Sequence, residues 1–318
     1  MTLRPLHQLF DAMYHGKYQF KEFLELKPEE HYSPVPWGSR TIYKPSKKLK
    51  EFHSFLNGFL LEHLLVNQSV SFAYRKGATL LQAVVPHARS RAFYQTDLEQ
   101  FFGSITSDLI RSTLERSVTP VSDLTGHLDH ILDLLTIDGK LPIGYSTSPI
   151  LSNACLLGFD ERLESISKER QWIYTRYADD IIISANDRQS IEAASRVIED
   201  CLATELRGGF RLNAKKSKFT TIGRKVKLLG LVILPNGAIV IDRDVRNKIE
   251  TWLHFYISDR SRLERIFEEE RSDGMDEGLQ RLSGLISYVY AADPVYMEKL
   301  RTKFGTTVID SFLHRSAQ

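Results

Sequence analysis

The run WIYTRYADDIIIS, residues 172–184, joins two strand-like segments at a pair of adjacent aspartates. Both arms are rich in Ile, Tyr, Trp and Thr, which favour half-buried pleated backbone, and the short break at Ala178 suits a tight turn. The run therefore predicts a β-hairpin with Asp179 and Asp180 at its tip. Adjacent carboxylates repel each other unless a cation lies between them, so the tip indicates a divalent metal site. Aspartate is also a common turn residue, which leaves a plain turn as the alternative.

Length and composition are those of a globular protein, with 318 residues, 42% of them hydrophobic, and a formal net charge of +2. A chain of this length can bury a sizeable core. The net charge gives no global argument for nucleic-acid binding. However, residues 207–227 carry eight basic side chains and no acidic one, and residues 40–50 carry five basic side chains and no acidic one. Each segment is either a phosphate-contact surface or a solvated face.

The two cysteines, Cys155 and Cys201, lack metal-ligand spacing and predict a reducing location without a structural disulfide. The N-terminal residues lack the apolar core of a signal peptide, and the most apolar helical run, residues 55–66, is short and contains Glu62 and His63. The sequence therefore predicts a cytoplasmic protein with no membrane partner.

A third aspartate ends another strand-like run. Residues 91–97, RAFYQTD, are largely apolar and aromatic up to Asp97, and residues 98–103, LEQFFG, follow them. Asp97 is either a turn cap or a carboxylate presented at a strand end. The next helix is expected to be capped by Thr106 or Ser107.

A glycine- and hydroxyl-rich loop, LPIGYSTSP, covers residues 141–149. Ser148 can cap the helix that follows, and Pro149 can take its first position. The loop is either a simple helix entrance or a place where backbone N–H groups meet a nucleotide.

The remaining chain alternates helical and extended patterns. Pro28, Pro34 and Pro36 predict an irregular connection after the first helix, and Ser46 is a candidate helix cap. The helical patterns cover residues 1 to about 30, 47–66, 119–138, 191–206 and 244 onward, and the extended patterns cover residues 39–45, 226–234 and 238–241.

Asp97, Asp179 and Asp180 all lie at predicted strand ends. Brought together in one sheet, they could hold two Mg²⁺ ions about 3.5–4 Å apart, the arrangement that stabilises the attacking and leaving oxygens of a phosphoryl displacement. The pattern indicates nucleotidyl transfer.

The order and spacing of these motifs resemble the reverse transcriptases. YADD at residues 177–180 stands in a hairpin downstream of DLEQFF at 97–102 and of GYSTSP at 144–149. The resemblance is nearest to the compact bacterial enzymes, the retron type and its antiphage defence-associated relatives. Further segments match in family order, namely RTIYKPS and AYRKG of the fingers, LLG of the primer grip and LSGLISY of the thumb, at residues 40–46, 73–77, 228–230 and 282–288.

The resemblance implies an α+β, right-hand polymerase fold. Residues 1–91 would form N-terminal helices and fingers. Residues 92–243 would form a palm of antiparallel sheet and helices, with a finger-like helical insertion at about 112–141. Residues 244–318 would form a helical thumb.

The resemblance also assigns the catalytic groups. Asp97, Asp179 and Asp180 would bind two Mg²⁺ ions, for which Mn²⁺ could substitute, with help from the Leu98 carbonyl. Phe102 matches the steric gate, whose ring would clash with a ribose 2′-hydroxyl and so favour dNTPs.

A wider set of contacts follows from the same resemblance. Candidate nucleotide-binding residues besides Phe102 are Arg75, Lys76, Gly144, Ser146, Thr147, Ser148, Pro149, and Lys216 or Lys218, between which the sequence does not choose. Candidate nucleic-acid contacts are Arg40, Lys44, Tyr74, Leu229 and Gly230.

Three positions depart from the retron pattern. Ile143 stands where many relatives carry Gln, residues 83–87 read AVVPH where retron enzymes show Asn-Ala-x-x-His, and residues 228–230 read LLG in place of Val-Thr-Gly. A retron enzyme and a non-retron defence-associated relative both stay open.

The implied function is an RNA-directed DNA polymerase that copies a structured non-coding RNA in antiphage defence. Its partners would be the RNA template, dNTPs, the DNA product and an effector or second defence protein. Two alternatives stay open, a template-independent or repetitive-sequence polymerase of the same fold and a catalytically silent RNA-binding scaffold.

Overall fold

The computed structural model describes residues 3–38, 40–206, 209–223, 225–271 and 274–315. The helices of these residues are α1 (Leu6–Tyr14), α2 (Phe20–Leu24), α3 (Lys47–Phe59), α4 (Leu80–Val84), α5 (Phe101–Ser104), α6 (Ser107–Glu115), α7 (Leu124–Leu135), α8 (Ser148–Cys155), α9 (Leu157–Glu169), α10 (Arg188–Ile191), α11 (Ala194–Glu205), α12 (Arg243–Ser258), α13 (Arg260–Arg271), α14 (Met275–Ala292), α15 (Pro294–Phe304) and α16 (Thr306–Arg315). The strands are β1 (Tyr32–Trp37), β2 (Arg40–Pro45), β3 (Ala92–Asp97), β4 (Ile173–Tyr177), β5 (Asp180–Ala185), β6 (Lys218–Thr221), β7 (Val226–Leu228), β8 (Leu231–Ile233) and β9 (Ile239–Ile241).

Within this part of the chain the strands form three sheets. β1 pairs with β2, four strands follow the order β4-β5-β3-β6, and the last three follow the order β7-β8-β9. The order places β3 beside β5, so the strand that ends at Asp97 neighbours the strand that begins at Asp180. Helices combined with antiparallel sheets confirm the predicted α+β class.

The chain separates into two compact units, each assembled from several segments. The first comprises Met1–Ala78, Tyr94–Ile183 and Gln189–Lys218, and the second comprises Thr79–Phe93, Ser184–Arg188 and Phe219–Gln318. The candidate carboxylates Asp97, Asp179 and Asp180 all belong to the first unit.

An aromatic cluster forms the N-terminal core of the first unit. Phe10 contacts Phe55 edge-on with ring centroids 5.1 Å apart and lies 5.5 Å from Phe23, which in turn lies 5.4 Å from Phe52. All four rings are fully buried. Aromatic pairs at these separations add attraction beyond the burial of their surface, so α1, α2 and α3 pack as one body.

Helices and the β7-β8-β9 sheet build the second unit. Trp252 of α12 contacts Phe267 of α13 edge-on at 4.9 Å, and Gly278 of α14 faces the same ring. A Cβ atom at Gly278 would lie 1.9 Å from Phe267 Cδ2, closer than real Cβ contacts allow. Only glycine therefore admits this packing of α13 against α14.

The predicted irregular connection after the first helix was wrong. β1 pairs antiparallel with β2, and Pro34 lies opposite Tyr43 in this hairpin. Proline lacks the N–H that an interior strand needs, but β1 is an edge strand and tolerates it. The predicted helix over the first thirty residues is two short helices, because the backbone turns left-handed at His15, with φ of 48°.

The extended run at residues 226–234 was also predicted incorrectly as one strand. The chain reverses at Leu229 and Gly230, with φ of 50° and 89°, so that Leu228 pairs with Leu231. Apolar residues on both sides of the turn hide it from a hydropathy pattern. The turn coincides with the segment that resembles a primer grip.

Helix caps and ends agree in part with the predictions. Ser46 Oγ accepts the Leu49 N–H at 3.3 Å and Thr106 Oγ1 accepts the Leu109 N–H at 3.4 Å, which confirms both caps. α3 stops at Phe59, seven residues before the predicted end, and α7 and α11 are also shorter than their patterns. None of the described helices is long and apolar enough to cross a bilayer.

Candidate active site

The predicted hairpin is present, with Asp179 in its turn and Asp180 at the start of β5. Ala178 adopts a left-handed conformation with φ of 58°, which reverses the chain between the two strands. The Leu98 N–H donates to the Asp179 carbonyl at 3.1 Å, so the turn is tied to the residue that follows Asp97.

Asp97 is held at the end of β3 and is 3% exposed. The Asn213 N–H donates to its backbone carbonyl at 2.8 Å. One side-chain oxygen, Oδ2, accepts a hydrogen bond from the Lys216 ammonium. The other, Oδ1, is buried and has no hydrogen-bond partner among the described residues. Such an oxygen has lost its water without replacement, which is costly unless a ligand supplies the missing contact.

The carboxylates at the hairpin tip have raised pKa values. Asp180 is exposed at the start of β5, but desolvation by the surrounding protein, followed by the charges of Asp179 and Asp97, raises its pKa to about 6. Burial, with a smaller contribution from Asp97, raises the pKa of Asp179 as well. Desolvation and like charges both disfavour the ionised form, so a cation at the hairpin tip would favour the charged forms of Asp179 and Asp180.

The ligand atoms suit a divalent metal ion, but the described side chains are not arranged around one point as in a formed metal site. They offer carboxylate oxygens, the ligands of Mg²⁺, and an unpartnered buried oxygen at Asp97. In the described chain, however, no group of three or more His, Cys, Asp or Glu side chains is arranged to hold a metal ion. Lys216 now pairs with Asp97 at the place where a cation would be expected.

Two aromatic rings lie in the same unit beside the carboxylates. The Phe102 ring centroid is 6.5 Å from that of Tyr74 and 5.4 Å from that of Phe101. Partial burial and the charge of Asp179 raise the pKa of the Tyr74 phenol, which places this ring within electrostatic reach of the hairpin tip. Phe102, the predicted steric gate, therefore lies beside Tyr74.

The loop at residues 141–149 packs against β2 rather than standing free. The Tyr43 N–H donates to the Ile143 carbonyl at 2.7 Å. Gly144 has φ of 110°, and a Cβ atom there would lie 2.4 Å from the Tyr43 carbonyl oxygen. The position therefore requires glycine. Asn57 Nδ2 donates to the Ser146 carbonyl at 3.4 Å, which ties the loop to α3 as well.

Ser148 does not cap the helix as predicted. It is the first residue of α8, with Pro149 next, and its hydroxyl donates back to the Pro142 carbonyl at 2.7 Å. The hydroxyl of Thr147 is buried without a hydrogen-bond partner in the described structure. The Ser148 hydroxyl thus stabilises the loop from inside, and that of Thr147 stays unpaired among the described residues. The exposed residues Gly144 and Ser146 form the outer surface of the loop.

The predicted basic contacts fall into two groups. Lys216 and Lys218 partly oppose the rise in the pKa of Asp180, and Arg40 partly opposes the rise in that of Asp179, so these three charges act at the hairpin tip. Arg75 instead donates to the Gln68 carbonyl at 2.9 Å and to the Ser71 carbonyl, both in its own loop.

Lys44 and Lys76 are exposed. Lys44 lines an open pocket of about 490 Å³ with Lys47 and Lys50.

The predicted primer-grip residues Leu229 and Gly230 belong to the second unit. A Cβ atom at Gly230 would lie 2.8 Å from the Tyr288 hydroxyl oxygen of α14. This hydroxyl is buried with no hydrogen-bond partner among the described residues, and burial raises its pKa to about 12. The turn and the segment that resembles the thumb helix are therefore packed together.

Sequence reasoning missed a buried cluster beneath the hairpin tip. Arg176 and Asp160 are both 0% exposed and form an ion pair of 2.6 Å. The available signal was the arginine itself, a charged side chain in an otherwise apolar strand, which must find a partner if the strand is buried.

Comparison with known proteins identifies the family. A family model described as reverse transcriptase (RNA-dependent DNA polymerase) matches residues 31–233. The chain belongs to the reverse transcriptase family and is an RNA-directed DNA polymerase, a class that works with divalent metal ions, an RNA template and a DNA product.

The curated relatives narrow the class to the retron type. The chain is 31% identical to the retron Ec73 reverse transcriptase of Escherichia coli over 282 residues, which cover 84% of this chain and 83% of that protein. It is 26% identical to the retron Ec83 reverse transcriptase of Escherichia coli over 303 residues, which cover 92% of this chain and 93% of that protein. Both alignments cover more than four fifths of each protein, so the departures at residues 83–87 and 228–230 do not exclude the retron type.

Proposed function

We propose that Asp97, Asp179 and Asp180 hold two Mg²⁺ ions, with the Leu98 carbonyl as a further ligand, and that Mn²⁺ can replace them. The observation that supports this most strongly is the raised pKa of Asp180, about 6, which desolvation causes first and the charges of Asp179 and Asp97 second. A divalent cation at the tip would offset both effects. When bound, the ions would lower the pKa of a primer 3′-hydroxyl and neutralise a triphosphate.

The protein's own residues would then position the nucleotide. Phe102 would lie under the sugar and exclude a 2′-hydroxyl, supported by its position beside Tyr74. The loop from Gly144 to Pro149 would contact the base pair through its exposed residues Gly144 and Ser146, with Thr147 and Ser148 buried behind them. Lys216 and Lys218 would approach the pyrophosphate, supported by their effect on Asp180.

Arg75 and Lys76 are proposed as triphosphate contacts. Arg75 would have to exchange its hydrogen bonds to the Gln68 and Ser71 carbonyls for phosphate oxygens. A guanidinium binds a charged phosphate more strongly than it binds a neutral carbonyl, because both partners of the hydrogen bond are then ionised. This difference favours the exchange.

The template and primer would be bound by basic and turn residues. Arg40, Lys44 and Tyr74 would contact the template, and Leu229 and Gly230 would contact the primer strand. The exposure of Lys44 and the influence of Arg40 on Asp179 support the first group. Phosphate contacts of this kind supply affinity without sequence preference.

The domain assignment is part of the same proposal. Residues 1–91 would act as fingers, 92–243 as palm and 244–318 as thumb. The template would be a structured non-coding RNA, and the enzyme would work in the cytoplasm in antiphage defence together with an effector protein. Similarity to two retron reverse transcriptases over 92% and 84% of this chain supports the proposal.

Sequencing the nucleic acid that co-purifies with the protein tests this function. We expect one predominant RNA species together with DNA complementary to part of it. DNA without complementarity to any bound RNA would favour template-independent synthesis, and RNA without DNA would favour a binding scaffold. A matched preparation carrying Asp179→Asn and Asp180→Asn should contain the RNA and lack the DNA.

A further inference from the structure

Strand β4 contains an arginine that is entirely enclosed by protein. The Arg176 Nε donates to Asp160 Oδ1 at 2.8 Å, and its Nη2 donates to Oδ2 at 2.6 Å. Tyr174 adds a hydrogen bond from its hydroxyl to Asp160 Oδ1 at 2.6 Å. A buried charge pair persists only when its geometry is good and its remaining donors and acceptors are satisfied, so this pair is held in a fixed place.

The rest of the guanidinium points toward the hairpin tip and its neighbours. Nη1 donates to the Ala178 carbonyl at 2.9 Å and to Asn153 Oδ1 at 3.1 Å, and Nη2 also donates to Ser71 Oγ at 3.1 Å. With the two bonds to Asp160, each of the five N–H groups has an acceptor. A lysine has three donors on a single nitrogen and could not reproduce this set.

The bond to Ala178 matters because of where that residue lies. Ala178 immediately precedes Asp179 and adopts the left-handed conformation that L-residues disfavour. The hydrogen bond to its carbonyl offsets this strain from inside the protein. Arg176 therefore acts on the backbone that sets the direction of both tip carboxylates.

The same cluster also fixes the segment that leads to Tyr74. The Arg176 N–H donates to the Val70 carbonyl at 2.7 Å, and the Phe72 N–H donates to the Arg176 carbonyl at 3.0 Å. Asn153 Nδ2 donates to the Ala73 carbonyl at 2.5 Å. The backbone of Arg176, and its guanidinium through Ser71 and Asn153, thus connect the hairpin tip to the segment that precedes Tyr74.

We propose that Arg176, held in place by Asp160, is a positioning residue for nucleotidyl transfer. It fixes the positions of Asp179 and Asp180 relative to the segment that carries Tyr74. It would touch neither metal nor nucleotide. The inference rests on the proposed function, in which those aspartates bind the metal ions.

The test is steady-state RNA-templated DNA synthesis by Arg176→Lys, at a temperature where its circular dichroism matches that of the wild type. We expect kcat to fall about 10–100-fold, the scale seen when groups that orient metal ligands are removed. The KM for dNTP and the affinity for RNA should stay within about threefold, because neither contact is made by Arg176. Arg162→Lys, on the same helix as Asp160 and ion-paired to Glu205, should keep the wild-type kcat.

Mn²⁺ binding followed by electron paramagnetic resonance supplies a readout that does not depend on turnover. Arg176→Lys should bind Mn²⁺ about 10-fold or more weakly than the wild type. If this variant does not fold, Asn153→Ala removes one acceptor of the guanidinium and leaves the ion pair, and it should show a smaller loss of the same kind.

A folded Arg176→Lys with wild-type kcat and Mn²⁺ affinity overturns the inference. So does a loss of activity that cooling fully restores, since the arginine would then serve stability alone. Failure of the proposed function would appear differently, as a wild-type protein without DNA synthesis or an Asp179→Asn variant that retains it.

Discussion

At the scale of single residues, the site consists of carboxylates that repel one another and of a lysine that pairs with one of them. Asp97 has one oxygen bound by Lys216 and one left without a partner among the described residues, while Asp180 has its pKa raised to about 6. These aspartates were predictable because each follows an apolar strand-like run. Arg176 was visible in the sequence too, but its partner Asp160 is sixteen positions earlier on helix α9, and no local pattern links a strand residue to a helix residue at that distance.

The sugar preference should depend on the ring of Phe102. Phe102→Ala removes the group expected to clash with a 2′-hydroxyl, so the ratio of kcat/KM for rNTP over dNTP should rise at least about tenfold, equivalent to ~1.4 kcal/mol of transition-state discrimination. Competing incorporation of rNTPs and dNTPs on one RNA template measures the ratio.

The value of kcat/KM for dNTP serves as the internal control and should change less than the ratio. Unchanged rejection of rNTPs by Phe102→Ala would remove the gate assignment.

At the scale of elements, β-rich runs with clear turn residues were predictable and runs without them were not. The hairpin of β4 and β5 was read correctly because Ala178 and its aspartates interrupt two apolar arms. The reversal at Leu229 was missed because leucine rarely marks a turn and apolar residues lie on both sides. The β1 strand was missed because prolines argue against a strand unless it lies at the edge of a sheet. Whether a strand lies at an edge depends on the tertiary structure and is not visible in the sequence.

The loop that contains Gly144 should not tolerate a side chain at that position. In Gly144→Ala the new Cβ would meet the Tyr43 carbonyl oxygen at 2.4 Å, in a backbone conformation that favours glycine. The clash and the backbone strain together should lower the free energy of unfolding by roughly 2 kcal/mol or more, and should displace the loop from β2.

Gly126→Ala is the matched control. Gly126 lies in α7 with nothing within 4 Å of its Cβ position, so alanine there should leave stability unchanged or raise it by about 0.5–1 kcal/mol. Urea unfolding of both variants measures the difference. Equal stability of the two variants would show that the loop rearranges freely around Tyr43.

At the scale of the whole molecule, two histidines are buried in the neutral form. The His53 Nε2–H donates to the Leu134 carbonyl at 2.8 Å, and His87 Nδ1 lies 2.6 Å from the Ser184 hydroxyl. Burial lowers the pKa of His53 to about 4 and that of His87 to about 3. Both then resist protonation in the folded protein.

These histidines should make the protein acid-sensitive. Below the ordinary pKa of 6.5 the unfolded chain takes up protons that the folded chain refuses, so stability falls as the pH drops from about 6.5 toward 4, by up to ~1.4 kcal/mol per pH unit for each histidine. Above pH 6.5 both states are neutral and the contribution is constant. The midpoint of thermal unfolding between pH 4.5 and 7.5 measures the effect.

The double variant His53→Gln and His87→Asn should flatten this dependence, since neither amide titrates. The exposed His7→Asn should leave the slope as it is in the wild type. An unchanged slope in the double variant would mean that other groups govern acid stability.

The most direct test of the central claim is RNA-templated primer extension with dNTPs and Mg²⁺. The wild type should extend the primer, and the variant with Asp179→Asn and Asp180→Asn should lose at least about 10²-fold in rate, the scale of losing one electrostatic partner of a transition state. Asp133→Asn with Asp200→Asn removes the same two charges from exposed helix positions and should keep the wild-type rate. Extension by the Asp179 and Asp180 variant at the wild-type rate would contradict the assignment of the hairpin tip as the catalytic centre.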